Sequence, residues 1–378
     1  MTTVLAARRG PLLLASLVSS IACSPAIEVE VVGSRDLGPL EVSESIRGRD
    51  GGYSVHAWGR SIWGYGDSIL AIEGEDGSAW RNNTMSHTED LDLSDGVSGF
   101  VEAVDSLGAP IEFLPQSDEE VAFNMAHSSN SPSCADPCGA RKMLWPGAMV
   151  EDVERDRVLV FYSKFYGEPG EWNFSAIGAS IAVWEGLDST PVRPEVRPDQ
   201  DESTLLFPVE EGWPSFGVAA LIEDGHLYAY GCDGEFLAKH CKLGRVDPAQ
   251  ALELDAWRFF DGDGWSSEID DAKTVLDAHT ILTIHYNAYV GRYLAIYNGP
   301  LENDIYIRTA PAPEGPWSKE ALAVKTMPGV GDAANYSGMA HPEFAREGGR
   351  FELLSYHRET GDWASEIRLV ELELAPID

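Results

Sequence analysis

One pattern recurs five times along the chain and restricts what it can fold into. In each copy, a strand rich in aromatic and β-branched residues is followed by a turn, a second hydrophobic strand and a third strand of alternating polarity. The strand pairs occupy residues 53–70, 144–162, 213–230, 279–297 and 337–356, and the third strands lie at 83–93, 177–184, 241–246, 305–309 and 366–374. One copy cannot bury both faces of its sheet, so neighbours must stack around an axis. The pattern predicts an all-β fold, a five-bladed β-propeller.

The length of the copies supports a propeller, because each leaves room for four strands and their loops. A β-sandwich is the alternative, since the copies have diverged in sequence. No stretch keeps helical periodicity over several turns. The polar, Pro-rich passage at 190–203 is interpreted as a loop and not as a linker to a second domain.

The N-terminus has the features of an export signal. Arg8 and Arg9 precede an apolar run at residues 11–18, and small residues follow up to Cys23. The cysteine after the cleavage point resembles a bacterial lipoprotein signal, whereas Ser20 stands where an aliphatic residue is usual and leaves a plain signal peptide open. We predict a cell-envelope lipoprotein or, alternatively, a secreted protein. Its parts are a signal peptide at 1–22, a lipid-anchored tether at 23–35 and a propeller domain at 36–378.

The chain has five cysteines. If Cys23 carries lipid, the other four cysteines form two short-range candidate pairs, Cys134 with Cys138 and Cys232 with Cys241. Export permits disulfides. Pairing by proximity is the simplest of three connectivities, and the other two stay open. Zinc is the rival use of these thiols, but neither pair has the Cys-x-x-Cys spacing that zinc sites favour. We therefore expect disulfides.

The formal net charge of −35 restricts the partners. A field of this sign repels phosphate backbones and anionic lipids, so we expect no nucleic-acid partner and membrane contact only through a lipid anchor. A neutral polysaccharide or oligosaccharide is compatible with this charge. We expect a monomer without cofactor or metal. The acidic loop at 90–96 lacks the bidentate Glu of an EF-hand loop, and Asx turns explain its composition.

Several short motifs together resemble the bacterial domain-of-unknown-function family DUF4185. They are Trp-Gly-Tyr-Gly-Asp-Ser at 63–68, Asn-Thr at 83–84, Asp-Leu-Ser-Asp-Gly at 92–96, Leu-Trp-Pro at 144–146, Gly-Arg-Tyr-Leu at 291–294, His-Pro-Glu at 341–343 and Ser-Tyr at 355–356. The resemblance extends over about residues 36–374. It implies a fold similar to five-bladed propeller furanosidases, and some members of the family act as endo-D-arabinanases. Because one fold hosts many functions, the resemblance assigns the fold better than the substrate.

Cleavage of a glycosidic bond needs two carboxyl groups that flank it. Asp67 follows Gly66 at the end of an aromatic strand, and Asp50 stands just before the first inner strand, so the two can face each other across a hairpin. Arabinanase-like members carry an acidic pair with about this separation, so the resemblance implies that Asp50 and Asp67 are catalytic. Glu343, on the fifth inner strand, is a third candidate acid. The alternatives are turn chemistry for the aspartates and a ring-closing latch for Glu343.

Aromatic and polar residues on the inner strands are candidates for sugar binding. The aromatic ones are able to stack on sugar rings, although aromatic residues at blade junctions are more often core. The polar ones would point into a central channel, with a purely structural histidine as the alternative. The candidates are Trp145, Tyr336, His285, Asn287 and His341.

These observations favour a surface-anchored, glycan-active propeller, a glycoside hydrolase on furanoside polysaccharide of the arabinan type. The alternative is a non-catalytic surface lipoprotein that binds carbohydrate or protein. A purely structural lipoprotein is a third option. Two carboxylates at catalytic separation in an open mouth would favour the hydrolase, and a single isolated acid would favour binding.

Overall fold

A computed structural model describes residues 25–94, 96–170, 172–234, 239–279, 281–300 and 302–377. Within these residues the chain is almost entirely β-structure, arranged in five antiparallel sheets. The predicted signal peptide (1–22) and Cys23 lie outside the described residues, so export and lipidation stay predictions. No helix in the described ranges is long and apolar enough to cross a membrane.

The strands follow the chain from blade to blade, after a first strand, β1 (Val29–Pro39). Blade 1 contains β2 (Ile46–Ala57), β3 (Arg60–Leu70), β4 (Trp80–Arg81), β5 (Thr84–Thr88) and β6 (Val101–Glu102). A helix, α1 (Asp118–Ala126), comes before the next sheet. Blade 2 contains β7 (Arg141–Asp152), β8 (Arg157–Gly167), β9 (Phe174–Trp184) and β10 (Phe207–Pro208).

Blade 3 contains β11 (Ser215–Glu223), β12 (His226–Asp233), β13 (Lys239–Val246), β14 (Arg258–Phe260), β15 (Trp265–Ser266) and β16 (Leu276–Ala278). Blade 4 contains β17 (Leu282–Asn287), β18 (Arg292–Asn298), β19 (Asp304–Ala310) and β20 (Ala321–Lys325). Blade 5 contains β21 (Tyr336–Ala340), β22 (Phe351–Gly361) and β23 (Ala364–Pro376). Short 3₁₀ turns lie at Val153–Arg155, Val209–Glu211, Pro248–Gln250, Leu254–Ala256, Ile269–Asp271, Val330–Asp332 and Pro342–Phe344.

In every blade the chain enters along the inner strand and proceeds outward. The inner strands β2, β7, β11, β17 and β21 contact one another in a closed ring. They therefore all run from one rim of the ring, which we call the upper rim, to the opposite one, the lower rim. This arrangement confirms the five-bladed propeller and excludes the sandwich.

The ring is closed by β1, which pairs antiparallel with β23 as the outer strand of blade 5, from Val29 opposite Pro376 to Pro39 opposite Arg368. The prediction of a tether at 23–35 is therefore wrong from Val29 onward. Val29 is 2% exposed and packs with Leu372 and Leu374. The short apolar run at the start of β1 needs the edge of β23 to become a strand, and that edge is contributed by the far end of the chain.

The central channel is closed by side chains that cross it. Tyr53 on β2 of blade 1 donates a hydrogen bond from Oη to the carbonyl of Val218 on β11 of blade 3, at 2.9 Å. Met149 and Met339, from blades 2 and 5, belong to the same buried cluster. Because this layer fills the axis, the channel is not open from one rim to the other, and we call its upper end the mouth.

The helix α1 is fixed by a capping box. Ser117 Oγ accepts the Glu120 N–H at 3.2 Å, and the Glu120 carboxylate accepts the Ser117 N–H at 2.8 Å. Glu120 also pairs with Lys164 at 2.6 Å and with Arg193 at 2.8 Å, which ties the helix to blade 2. The helix has nine residues, too few to show a helical period in the sequence. The Ser-x-x-Glu motif at 117–120 is the local sequence signal for its start.

Both predicted disulfides are confirmed. Cys134 is bonded to Cys138 in the loop that follows α1. Cys232 is bonded to Cys241 at directly opposite positions of β12 and β13. Each pair is adjacent in the fold, so neither of the other two connectivities occurs.

We expect Val29→Asp to lower the free energy of unfolding by about 2–4 kcal/mol, because it places a charge without a partner in the cluster that holds β1 to blade 5. Urea unfolding followed by tryptophan fluorescence measures the change. Val32→Asp is the matched control, since Val32 lies on the same strand with 52% of its surface exposed. Equal stability of the two variants would contradict the closure of the ring by β1.

Candidate active site

The first hairpin brings Asp50 and Asp67 together at the upper rim. Arg49 on β2 lies opposite Ser68 on β3, and Gly51 lies opposite Tyr65, with a register shift between them. Asp50 therefore faces the peptide that leads into Asp67. Its Oδ1 occupies the space where a Cβ on residue 66 would lie. Only glycine at position 66 allows this approach.

Two hydrogen-bond donors and one cation, from two blades, surround the Asp67 carboxylate. The indole N–H groups of Trp80 and Trp145 donate to Asp67 Oδ1 at 3.2 and 3.4 Å. The guanidinium of Arg141 lies 3.8 Å from Oδ2. The Asp67 side chain retains 21% of its exposure, so it is half-buried and accessible from the mouth.

The Asp50 carboxylate has a different set of partners. Tyr336, at the start of the inner strand of blade 5, donates its hydroxyl to Asp50 Oδ2 at 2.8 Å. The backbone N–H of Asp67 also donates to Asp50. The Tyr336 ring rests against the buried ring of His357 on β22, with the centroids 4.2 Å apart. No cationic side chain contributes to the pKa shift of Asp50.

The pKa values of both carboxyl groups are raised. Burial raises the pKa of Asp50 to about 7, and the charge of Asp67 adds to the rise. Burial raises the pKa of Asp67 to about 6, against the opposing effect of Arg141 and the two indoles. Since the two groups are coupled, they titrate as a pair. The donors make Asp67 the member that carries the negative charge and Asp50 the member that keeps the proton.

Aromatic side chains from three neighbouring blades flank the pair. Trp80 lies under the Arg141 guanidinium at 4.7 Å and contacts Trp363 of blade 5, with ring centroids 6.5 Å apart. On the other side, Trp145 contacts Phe174 of blade 2 at 5.1 Å. Trp363 is 69% exposed and Phe174 is 40% exposed. The pair thus lies between two solvent-facing aromatic groups.

The structure does not bring Glu343 to this pair. Its Oε1 accepts a hydrogen bond from Ser61 Oγ at 2.7 Å, near the lower rim. Ser61 is six positions from Asp67 along β3, which corresponds to roughly 20 Å. Burial raises the pKa of Glu343, but the residue contacts the first hairpin from the far end. The expected catalytic role of Glu343 is therefore not supported, and its place between blades 5 and 1 fits the latch alternative.

His341 is also unsuited to bind substrate. It is fully buried. Its Nδ1 lies 2.7 Å from Ser54 Oγ and its Nε2 lies 2.8 Å from Ser355 Oγ. The ring stacks on Trp63 at 3.9 Å. Burial lowers the pKa of His341 to about 3, so the ring is neutral. The structure corrects the expectation that this side chain faces sugar hydroxyls.

His285 and Asn287 hold blade 4 to blade 5 below the mouth. Both are buried, and both contact Glu352 on β22, through His285 Nε2 at 3.2 Å and Asn287 Nδ2 at 2.6 Å. Asn287 also donates to the carbonyl of Gly349. His285 and Asn287 lie two positions apart and therefore on the same face of β17, but this face points at a neighbouring blade. The sugar-binding role expected for them is not supported.

Sequence reasoning missed several residues of the mouth. Arg141 lies four positions before Trp145 on β7, a spacing that puts both on the same face of a strand. This spacing could have indicated from the sequence that Arg141 lies beside Trp145. Trp80 and Trp363 lie on turns and a short strand, where no periodicity exists to indicate their direction.

The acidic loop at 90–96 uses its carboxylates in turns. Asp90 Oδ1 accepts the Asp92 N–H at 3.0 Å, and Asp92 Oδ1 accepts the Ser94 N–H at 2.9 Å. Among the described residues, no group of three or more His, Cys, Asp or Glu side chains is arranged to hold a metal ion.

The chain belongs to the family described as domain of unknown function (DUF4185), which it matches over residues 41–358. A comparison with curated proteins finds no match. The family match confirms the resemblance seen in the sequence motifs.

Several solved structures with a similar fold are named as glycoside hydrolases. One is Zg3597, a family 117 glycoside hydrolase of the marine bacterium Zobellia galactanivorans, with 12% identity, 92% of this chain and 91% of that chain covered, and a TM-score of 0.51. Another is the RS223 β-xylosidase, with 13% identity, 90% and 98% covered, and a TM-score of 0.50. At these identities the similarity shows the fold alone.

The raised pKa values have a consequence for stability. Over the range between the unfolded value of 3.8 and the folded values of about 6 and 7, the native state holds protons that the unfolded chain has lost. The pair's contribution is therefore fully present at or below the unfolded pKa and is lost as pH rises through the folded values. We expect Asp50→Asn to gain free energy of unfolding relative to wild type between about pH 4 and pH 8.

Urea unfolding at intervals across this range measures the effect. Asp362→Asn is the control, because Asp362 is an exposed carboxylate on the neighbouring β22–β23 turn. The gain should be confined to Asp50→Asn. A difference between Asp50→Asn and wild type that does not change with pH would show that the Asp50 carboxyl is not perturbed.

Proposed function

We propose that this protein is a glycoside hydrolase that cleaves furanoside-containing polysaccharide of the arabinan type, with Asp50 and Asp67 as its carboxylate pair. The observation that carries the proposal is the meeting of two half-buried carboxyl groups at the mouth, each with a different set of donors. Hydrolysis of a glycoside needs one carboxyl that gives a proton and one that carries charge. The donors supply this difference.

In this reaction Asp50 is the general acid. With a pKa of about 7 it holds a proton at neutral and mildly acidic pH and can transfer it to the departing glycosidic oxygen. Tyr336 Oη donates to Asp50 Oδ2. The carboxylate left after proton transfer therefore keeps a hydrogen-bond donor, which stabilises the new charge.

Asp67 is the ionised partner. Arg141 and the two indole N–H groups favour its charged form. This carboxylate stabilises the positive charge that develops at the anomeric carbon and either attacks that carbon or activates a water molecule. Because two donors occupy Oδ1, the less constrained Oδ2 is the oxygen available for this role.

The aromatic groups of the mouth supply the sugar-binding surface. Trp363 and Phe174 present solvent-facing rings on opposite sides of the pair, and faces of this kind bind the apolar face of a sugar ring. Trp145, which also bonds Asp67, joins the Phe174 side to the carboxylates. A chain with sugars on both sides of the cleaved bond fits this arrangement.

Three further observations support the proposal. Two structural neighbours are named as a family 117 glycoside hydrolase and a β-xylosidase. The two disulfides fit an exported protein, which would meet extracellular or cell-wall glycans. The acidic surface is compatible with a neutral polymer. Placement in the cell envelope as a lipoprotein is part of the proposal.

The exposed aromatic rings also favour a second candidate, a surface protein that binds carbohydrate without cleaving it. This alternative uses the same mouth but needs no proton transfer. Binding of polysaccharide by the wild type with no turnover on any furanoside would establish it.

We expect Asp50→Asn and Asp67→Asn each to lower kcat on arabinan-type polysaccharide by at least about 100-fold, because each removes one half of the acid–base pair. The release of reducing ends measures the loss of activity, and circular dichroism checks that each variant is folded. Glu343→Gln is the matched control. It changes an acid near the lower rim, keeps an acceptor for Ser61 and should retain activity. Full activity of Asp67→Asn would remove Asp67 from the mechanism.

We expect Trp363→Ala to raise KM for the polysaccharide about tenfold with little change in kcat. The lost ring contacts the sugar equally in the ground state and the transition state, and tenfold corresponds to about 1.4 kcal/mol. Initial rates over a range of polymer concentrations separate the two parameters. Tyr289→Ala, which removes an exposed ring near the lower rim, should leave KM unchanged. An unchanged KM in Trp363→Ala would exclude this ring from the binding surface.

A further inference from the structure

The position of the N-terminus relative to the two rims determines how a lipid anchor would orient the molecule. The strand β1 runs antiparallel to β23 and ends at Pro39, beside the upper rim, where Leu40 N–H bonds the Ile367 carbonyl at 2.7 Å. Its other end, Val29, therefore lies at the lower rim. The strand has 11 residues, so roughly 35 Å separates the two ends.

The residues that precede β1 are fixed to the lower rim of blades 4 and 5. The Lys319 N–H donates to the Pro25 carbonyl at 3.0 Å, and the Ile377 N–H donates to the Glu28 carbonyl at 3.0 Å. The Glu28 carboxylate pairs with Arg292, with Nη2 to Oε1 at 3.1 Å. Ile27 packs on the buried cluster between the two blades. The described residues therefore begin at this rim, with Pro25.

One residue, Ser24, lies between Cys23 and Pro25, so Cys23 is two residues along the chain from the first described residue. A chain of two residues reaches at most about 7 Å, even when it is fully extended. The distance to the upper rim is about five times larger. An acyl group on Cys23 can therefore enter a bilayer only when the lower rim of blades 4 and 5 faces that bilayer.

The surface beside Pro25 is suited to this approach. Tyr286 and Tyr289, at the lower end of β17 and in the turn after it, are 50% and 39% exposed, and Ile377 is 47% exposed. Tyrosine side chains favour the level of lipid headgroups, because they present an apolar ring and a polar hydroxyl. The overall charge of −35 gives no electrostatic attraction to an anionic surface, so the anchor itself must supply the attachment.

We propose that the lower rim of blades 4 and 5 is a membrane-facing surface, held against the lipid headgroups by acyl chains on Cys23, with the mouth at Asp50 and Asp67 facing away from the bilayer. The partner of this surface is the lipid bilayer of the membrane in which the protein is anchored. The orientation follows from chain length and does not depend on catalytic activity. Failure of the hydrolase assays would leave it unaffected.

Single-cysteine labelling of the full-length lipidated protein tests the orientation. Glu154→Cys places a thiol at the lower rim, where the Glu154 side chain is 86% exposed, and Asp362→Cys places one at the exposed turn of the upper rim. The other cysteines are bonded in disulfides or carry lipid, so the introduced thiol takes the donor dye. Each protein is inserted into phosphatidylcholine vesicles that contain an acceptor-labelled lipid, and energy transfer is measured.

We expect transfer several-fold higher from the dye at residue 154 than from the dye at residue 362. The same labelled proteins with Cys23→Ser should stay in solution and show no transfer, which ties the signal to the anchor. Equal transfer from the two positions, or higher transfer from residue 362, would overturn the proposal. Absence of acyl groups on Cys23 by mass spectrometry of the membrane-isolated protein would overturn it as well.

Discussion

The pairing of β1 with β23 is the interaction on which the rest of the structure depends. A blade buries its faces only against its neighbours, so a ring with an unpaired end would leave one blade exposed. In this protein β1, from the N-terminal part of the chain, forms the outer strand of blade 5. The strands at the two ends of the described chain are then held in one sheet by the hydrogen bonds between β1 and β23.

Ring closure also assembles the mouth. Blade 5 contacts blade 1 only because the ring closes. This contact brings the Tyr336 hydroxyl to Asp50. From the other neighbour, blade 2, come Trp145 and Arg141, which reach Asp67. The carboxylate pair lies on a single hairpin, but its electrostatic environment comes from three blades. The same closure holds residues 25–28 at the opposite rim, away from Asp50 and Asp67.

The unequal environments of Asp50 and Asp67 arise from their neighbours and not from the residues themselves. Both are aspartates, and burial raises both pKa values. One guanidinium and two indole N–H groups oppose the rise in the pKa of Asp67. Asp50 accepts hydrogen bonds from one hydroxyl and one backbone N–H instead. In a partly desolvated site such differences act with little screening by water. The fold thereby gives two identical side chains opposite tendencies to hold a proton.

The blade count, the two disulfides and the meeting of Asp50 with Asp67 could all be predicted from the amino-acid sequence. Each of these rests on local information: strand periodicity, short cysteine spacing and the two arms of one hairpin. Tertiary structure alone decided which polar inner-strand residues reach the mouth. His341, Glu343, His285 and Asn287 have the composition of a site, yet they pack between blades, while Arg141, Trp80 and Trp363 reach the carboxylates from turns and strand ends. Periodicity shows on which face of a strand a side chain lies, but whether that face meets solvent or another blade depends on contacts between residues far apart in the chain. For the same reason residues 29–35, the first part of β1, were predicted as tether, since their partner strand lies more than 300 residues away.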